Sequence, residues 1–246
     1  MVLSMAEPKA ALLLLPNLLG DFPHHEPFLP SSVDKAVLSL DGLIAESPQA
    51  GRRYLSRFKT KLPVEEIPIA LFNEHTLDND LDFLLEPIKK GERWGFVCDA
   101  GLPCIADPGS KLVRRARQTG LAIQAFVGPS SIMLSLMLSG LPGQCFNFHG
   151  YLDSKPEKRR QELVLLEQSS KKKGSTEIFI ETPYRNKHMM ETLFSTLHDD
   201  TWVSIASDLT LNTQSVVTQP ISAWKKCTPP NLDKKPAIFL INANLE

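Results

Sequence analysis

Between Trp94 and Val127 an apolar run, a basic segment and a second apolar run follow one another, and this rhythm constrains the fold more than any other feature. Trp94-Gly-Phe-Val-Cys98 reads as a strand, Ser110 is placed to cap a basic helix from Lys111 to Thr119, and Gly120 is placed to end it. Leu121 to Val127 then returns as a second strand. Two strands joined through a helix lie parallel, so the unit predicts an α/β fold built on a largely parallel sheet.

The rhythm recurs upstream. Ala11-Leu-Leu-Leu-Leu15 stops at Pro16-Asn17-Leu18-Leu19-Gly20-Asp21, a buried strand opening into a loop. Val33, Ala36, Val37 and Leu40 recur at helical spacing between Ser32 and Leu40, Gly42 to Glu46 reads as a second strand, and Gln49 to Phe58 as a further helix. Ile132 to Ser139 is apolar on nearly every face and closed by Gly140, so this helix is expected to be buried on several sides, at a core or an interface. Phe146 to Gly150 is aromatic, and Ser154 to Arg160 is charged with Pro156 inside it. A domain change is expected here, giving residues 1–147 and 148–246. The second half is again α/β: Ile178-Phe-Ile180, a helix from Lys187 to Leu197, Trp202 to Ala206 and Ala237 to Ile241, with Lys171-Lys-Lys-Gly174 as its most exposed loop. The expected architecture is two α/β domains, the first mainly parallel and the second with a mixed sheet.

Composition removes several classes of function. The 246 residues are 42% hydrophobic and 22% charged with a formal net charge of -1, so neither half is a basic nucleic-acid module and any RNA is met by local patches. The longest apolar run near the start, Ala10 to Leu15, is too short for a signal-peptide core or a membrane span, which points to a cytoplasmic protein; Met5 begins an equally sensible reading frame. Cys98, Cys104, Cys145 and Cys227 form no CxxC pair and read as buried reduced thiols. The six histidines show no ligand spacing, so no metal is expected. No two of the 13 glycines lie two positions apart, which excludes a G-x-G-x-x-G fingerprint, and a G-x-x-x-x-G-K-[ST] loop is absent too. Gly128-Pro-Ser-Ser-Ile132 does not form the G-x-S-x-G elbow of hydrolases.

Two loops remain as a candidate site. Asp99-Ala-Gly-Leu-Pro-Cys-Ile-Ala-Asp-Pro-Gly109 follows one strand and Gly128-Pro-Ser-Ser131 follows the next. In a parallel sheet both fall at the carboxyl edge, where ligands bind and small residues admit a ligand to the backbone. Each loop is equally readable as a turn whose Gly, Pro and Asp serve geometry alone.

Asp99-Ala-Gly-Leu-Pro103 with Asp107-Pro-Gly109, Gly128-Pro-Ser130, Ser139-Gly-Leu-Pro142, Phe148-His-Gly-Tyr151, Arg159-Arg160 and Glu181-Thr-Pro-Tyr-Arg185 together resemble the tetrapyrrole (corrin/porphyrin) methylase superfamily. Within it the chain is most similar to the branch of the small-subunit ribosomal RNA cytidine 2'-O-methyltransferases, as a shorter subgroup, with ordered matches from about Pro16 to Ile241. The resemblance implies two α/β domains, S-adenosylmethionine in the cleft between them, and a homodimer. It implies that Pro16 to Leu19, Leu102, Pro103 and Ile105 line the cofactor's amino-acid end, with Ser131 and Ile132 beside it, and that Ile180, Ala206 and Pro236 frame the adenine. Glu46 and Arg52, six apart as in the family, fall at the cleft mouth on the acceptor side, or else form a solvated helix-start pair. Glu181 and Arg185 are either a cross-domain ion pair or act at the acceptor.

The match departs from the rRNA enzymes at Ser47 and Gln49, in place of Asp and Arg, at Leu102 in place of Thr, and at Ser207-Asp-Leu-Thr-Leu211 in place of Arg-Glu-Leu-Thr-Lys. The implied function is an S-adenosylmethionine-dependent methyltransferase of ribosomal RNA, with the small ribosomal subunit as partner. Methylation of a small molecule such as a tetrapyrrole, or S-adenosylmethionine binding without transfer, are the alternatives. For a ribose hydroxyl acceptor a positioned base helps, and Asp99 and Glu181 are the candidate catalytic residues. Lys111, Arg114, Arg115 and Arg117, Lys158 to Arg160, and Lys171 to Lys173 are candidate phosphate contacts or solvated faces.

Overall fold

The computed structural model describes residues 10–73 and 75–245; the alternative start at Met5 lies outside them. The chain divides into two compact units, residues 1–130 and 131–246.

In the first unit, strands β1 (Ala11–Leu14), β2 (Gly42–Ala45), β3 (Ile69–Leu71), β4 (Arg93–Phe96) and β5 (Ile123–Ala125) form one sheet in the order β3-β2-β4-β1-β5. Every pairing is parallel. Alternation along β1 assigns the two faces. Ala11, Leu13 and Leu15 join the core formed with α1 (Ser31–Leu38) and α2 (Pro48–Leu55). Leu12 points the other way, into a second core with Leu81, Leu84, Leu85 and Ile88 of α3 (Asp80–Lys89) and Leu112 and Ala116 of α4 (Ser110–Gln118). A strand buried on both faces has no polar alternation, which is why Ala11 to Leu15 reads as one continuous apolar segment.

The second unit carries β6 (Phe146–Tyr151), β7 (Thr176–Glu181), β8 (Trp202–Ser207), β9 (Ser215–Pro220) and β10 (Ala237–Asn242), in the order β6-β7-β10-β8-β9. β6 and β7 are parallel and the other pairs antiparallel, so the sheet is mixed. One face (Phe179, Val203, Ile205, Phe239, Ile241) packs beneath α6 (Pro156–Lys173), α7 (Asn186–Thr196) and α8 (Ile221–Trp224). The other face meets α5 (Ser131–Ser139), which packs on β8, β9 and β10.

Several expectations change. The division falls at Ser130 and Ser131 instead of 147/148, because α5 packs on the second sheet. That helix is not buried on several sides: Ile132, Ser135, Leu136 and Ser139 are covered, whereas Met133, Met137 and Leu138 are exposed. Lys171 to Lys173 are the last turn of α6 and not a loop; cations suit the carbonyl end of a helix, and Gly174 closes it in the left-handed conformation. The N-cap of α4 is Gly109, not Ser110, which is the first helical residue. Cys98 is buried as expected, but Cys145 and Cys227 are exposed thiols. Short β3 and edge strand β9, which ends in a proline, are not evident from the sequence pattern, nor is α3, whose last turn contains Pro87. Among the described residues no helix is long and apolar enough to cross a membrane.

Phe239 is fully buried and its ring stacks on Phe179 at 5.6 Å between centroids. Phe239→Ala is expected to cost about 3–5 kcal/mol, read as a lower denaturant midpoint by far-ultraviolet circular dichroism. A loss within the error of the wild-type curve would show that this stack does not carry the second core.

Candidate functional site

Register places the loops after β1, β2, β4 and β5 at one edge. Leu14 is level with Phe96 and Ala125, and Ile44 with Phe96, so Pro16, Glu46, Val97 onward and Phe126 onward all emerge there. β1 and β4 are neighbours, yet their following helices lie on opposite faces of the sheet. The two loops therefore part at this point and open a crevice, the place where parallel α/β sheets take ligands.

One side chain ties the crevice together. Asn17, 8% exposed, donates from Nδ2 to the carbonyls of Cys98 (3.0 Å) and Asp99 (2.9 Å). Its Oδ1 accepts from the Leu18 N–H (2.9 Å) and from Arg57 (3.2 Å), while the Asn17 N–H donates to the Gly101 carbonyl (2.8 Å). The third loop closes on the first at Gly128, where an added Cβ would stand 2.1 Å from Pro16 Cβ, a separation only glycine permits. Leu19 and the Pro129 carbonyl both approach Gly101, so all three loops meet there.

The loop after β4 is bent by four residues with positive φ: Gly101 (66°), Cys104 (70°), Ala106 (63°) and Gly109 (138°). Two of them carry side chains, and such backbone persists only where its surroundings enforce it. An added Cβ on Gly109 would lie 2.5 Å from the Phe96 ring and 2.6 Å from Cys104 Sγ.

Three carboxylates collect at this edge. The Asp99 N–H donates to Glu46 Oε1 (3.2 Å), joining the loops after β2 and β4. Asp107 is solvent-exposed as a residue, but desolvation of its carboxyl, reinforced by the charges of Glu46 and Asp99, pushes its pKa up to about 6. Burial and the Asp107 charge also raise the Cys104 thiol to about 11 and the Cys98 thiol well above its ordinary value, so both are protonated at neutral pH. Asp107 as a titrating group is a finding of the structure. The sequence signal that points to it is its place eight residues after Asp99 in one small-residue loop.

The predicted site residues separate by unit. Pro16, Leu19, Leu102, Pro103 and Ile105 all belong to the loops of this edge; Pro16 and Pro103 are buried, and Ile105 is half exposed. Glu46 is there as well, but Arg52 is turned away: its guanidinium donates to the carbonyls of Val64 and Ile67 (2.7 Å to the latter) and anchors the turn Val64–Glu66. The cations that do line the edge are Arg53 and Arg57, which nothing in the sequence pattern sets apart from Arg52.

In the second unit Ile180 and Ala206 flank Ile238 across three strands in one register row. Pro236, two residues before Ile238, belongs to the same face by alternation, and this is the face on which α5, beginning Ser131-Ile132, packs. Glu181 and Arg185 form an ion pair within this unit, not across domains: Arg185 reaches Glu181 Oε1 at 2.8 Å from both Nε and Nη2. The Thr182 N–H donates to the same oxygen (2.7 Å), and the Glu181 side chain is fully buried. A hollow of about 590 Å³ beside this loop is lined by Pro183, Tyr184, Asn186, Lys187, Leu232 and Lys234. Of the candidate phosphate contacts, Lys111 and Arg115 pair with Asp78 and Asp82, and Arg159 is buried against Thr192 Oγ1 (3.0 Å). Lys171 to Lys173 are exposed.

A family model for the Tetrapyrrole (Corrin/Porphyrin) Methylases matches residues 41–224. The chain belongs to this family of methyltransferases. It is 30% identical to the Ribosomal RNA small subunit methyltransferase I of Thermotoga maritima over 79% of this chain and 85% of that protein. Against the protein of the same name from Bacillus subtilis the identity is 26%, over 86% and 68%. Diphthine synthase superimposes with a TM-score of 0.64 at 14% identity (96% of this chain, 91% of that one), and a cobalt precorrin-4 methyltransferase with 0.62 at 13% (95% of each). At those identities the structures establish the fold alone.

Asn17→Ala would leave the Cys98 and Asp99 carbonyls without their donor in a buried place. It is expected to destabilise the protein by about 2–4 kcal/mol, seen as a lower midpoint in chemical denaturation. A midpoint equal to that of the wild type would show that water replaces the amide at no cost.

Proposed function

We propose that this methylase uses S-adenosylmethionine to methylate a ribose 2'-hydroxyl of small-subunit ribosomal RNA, acting in the cytoplasm with its acceptor. The observation that carries the reading is the set of Glu46, Asp99 and Asp107 at the mouth of the β1/β4 crevice. An alcohol must lose its proton as it is methylated, whereas a carbanion-like carbon or an amine needs no such help, so a carboxylate set at the edge suits a hydroxyl acceptor. The names of the relatives support RNA as the carrier of that hydroxyl.

The crevice fits the cofactor in its chemistry. Ala100 and Ala106 are small and exposed, and Leu19, Leu102 and Ile105 supply apolar surface beside them. When bound, the cofactor supplies an electrophilic methyl group on a sulfonium that departs neutral. In the first unit Pro16, Leu19, Leu102, Pro103 and Ile105 are the residues that would hold its amino-acid end; in the second, Ser131, Ile132, Ile180, Ala206 and Pro236 are the candidate cofactor residues.

Asp99 orients the acceptor hydroxyl, fixed by its N–H on Glu46 and by Asn17 on its carbonyl. Asp107, with a pKa of about 6, takes up the proton, being more basic than an ordinary carboxylate and ionised at neutral pH. Glu181, saturated at one oxygen and buried, positions Arg185 instead of exchanging protons with the acceptor. The exposed apolar residues Met133, Met137 and Leu138 on α5 support a homodimer formed through that helix.

The test is transfer of tritium from methyl-labelled S-adenosylmethionine into an extract of cells lacking the protein, followed by separation of ribosomal RNA, protein and small molecules. Label in small-subunit RNA is expected; label confined to small molecules, or none despite cofactor binding, overturns the reading. Asp99→Ala should lower kcat by about 10²-fold or more with cofactor affinity nearly unchanged. Equal loss of both would remove Asp99 from the acceptor.

Asp107 also predicts opposite signs for activity and stability. Turnover should rise as pH passes about 6, where its carboxylate forms. A raised carboxyl pKa means the native state binds this proton more tightly than the unfolded state, so stability from this group falls as pH rises from about 4 to about 6 and stays low above. Asp107→Asn should therefore raise the melting temperature near neutral pH, leave it unchanged below about pH 4, and abolish the pH step in activity. A variant with the wild-type pH profile would show that another group takes the proton.

A further inference from the structure

We propose that Arg53 and Arg57 form an anion subsite in the first unit that grips a phosphodiester of the acceptor RNA beside the carboxylates; the proposal rests on the RNA reading above. The two side chains, together with Asn17 to Asp21, Asp99 and Ala100, line a hollow of about 230 Å³ at the carboxyl edge.

The surroundings of Arg57 suit it to an anion. Its side chain is only 11% exposed, and an arginine so covered ordinarily has a carboxylate in direct contact. Here the carboxylate is Asp21, 3.9 Å away and 97% exposed, a surface pair of little worth. The nearer partner is the neutral Oδ1 of Asn17, at 3.2 Å. Burial and then the charge of Arg53 pull the Arg57 pKa below its usual value, so two cations are held together with little neutralisation. Arg53 stands four residues earlier, in α2, and is exposed, while Arg57 lies in the turn that follows the helix. A doubly accepting anion entering this hollow relieves the repulsion and completes the Arg57 hydrogen bonds, and a guanidinium pair suits the paired oxygens of a phosphodiester.

The location gives the subsite a role. Asp99 lies on the wall of the same hollow and receives the Asn17 amide on its carbonyl, so Arg57 and Asp99 are both fixed through Asn17. A phosphate on the arginines places the neighbouring ribose against the carboxylate edge. Arg53 and Arg57 are thus positioning residues for an anionic acceptor. The carboxylate of S-adenosylmethionine is the other source of the same chemistry, and the measurements separate the two.

Arg53→Gln, at an exposed position that leaves the packing of α2 intact, and Arg57→Lys, which keeps the charge but not the fork, are compared with the wild type in three titrations. With small-subunit RNA, Arg53→Gln is expected to weaken binding about tenfold and to reduce the slope of log affinity against log salt by about 0.7, the value for one phosphate contact on a single strand. With inorganic phosphate, binding followed by protein NMR should weaken in both variants. With S-adenosylmethionine, affinity should stay within about twofold. Unchanged RNA affinity and salt slope overturn the proposal, and a parallel loss of cofactor affinity assigns the anion to the cofactor and overturns it equally. If the wild type binds phosphate here yet neither binds nor methylates RNA, the RNA reading fails and with it the RNA phosphate as occupant, while an anion site stands.

Discussion

The carboxamide of Asn17 is the contact on which the candidate site depends. A parallel sheet delivers its loops to one edge but does nothing to hold them in mutual position, since each leaves for a different helix. Asn17 spends both its donors on the loop after β4 and both its acceptors on its own loop and on Arg57, so no bond of the amide is left to water. Such a side chain couples the β1 loop, the β4 loop and the end of α2 as a unit. It can do so only because β1 and β4 are neighbours whose chains turn to opposite faces, which leaves room between the loops for an amide and, farther out, for a ligand.

Around that tie the edge is built from residues that ordinary turns avoid. Cys104 and Ala106 store strain through their positive φ, and Gly128 lies too close to Pro16 to admit any side chain. The carboxylates add an electrostatic cost of the same kind: Asp107 is held partly desolvated near two other negative charges. Two arginines are held near each other in the adjoining hollow. On the surface of α3 and α4, by contrast, Asp78 and Asp82 meet Lys111 and Arg115 in direct ion pairs.

The sequence disclosed the sheet and the loops because their signals are local. Continuous apolar runs such as Ala11 to Leu15, ended by Pro16, and the Gly-containing segments after Cys98 and Val127 place strands and carboxyl-edge loops without any tertiary knowledge. The division at Ser130 and Ser131 leaves no local signal, because an apolar helix such as α5 carries no mark of the sheet on which it packs; its Ser135 and Ser139 look polar yet are buried, each bonding back to its own helix. The direction of the Arg52 side chain is hidden from the sequence for a related reason. Arg52, Arg53, Arg57 and Lys59 are alike in sequence, and only the fold turns Arg52 to the Val64 and Ile67 carbonyls while Arg53 and Arg57 face the hollow. The Glu181–Arg185 spacing announced an ion pair, but whether it lay within one unit was invisible without the β7–α7 connection.

The departures from the rRNA enzymes look different once the residues are placed. Ser47 is the N-cap of α2, its Oγ accepting from the Ala50 N–H at 3.1 Å, so the position serves the helix start. Gln49 lies on the helical side that carries Arg53 four residues on, and Arg57 follows in the turn after the helix. A cation absent from the first turn of α2 therefore occurs farther along the chain, and there it meets Asn17 and the Asp99 loop instead of the helix start. Charge for an anionic acceptor is present in kind on this edge and shifted in place, which reconciles a first turn without Asp and Arg with an edge that still sets cations and carboxylates around one crevice.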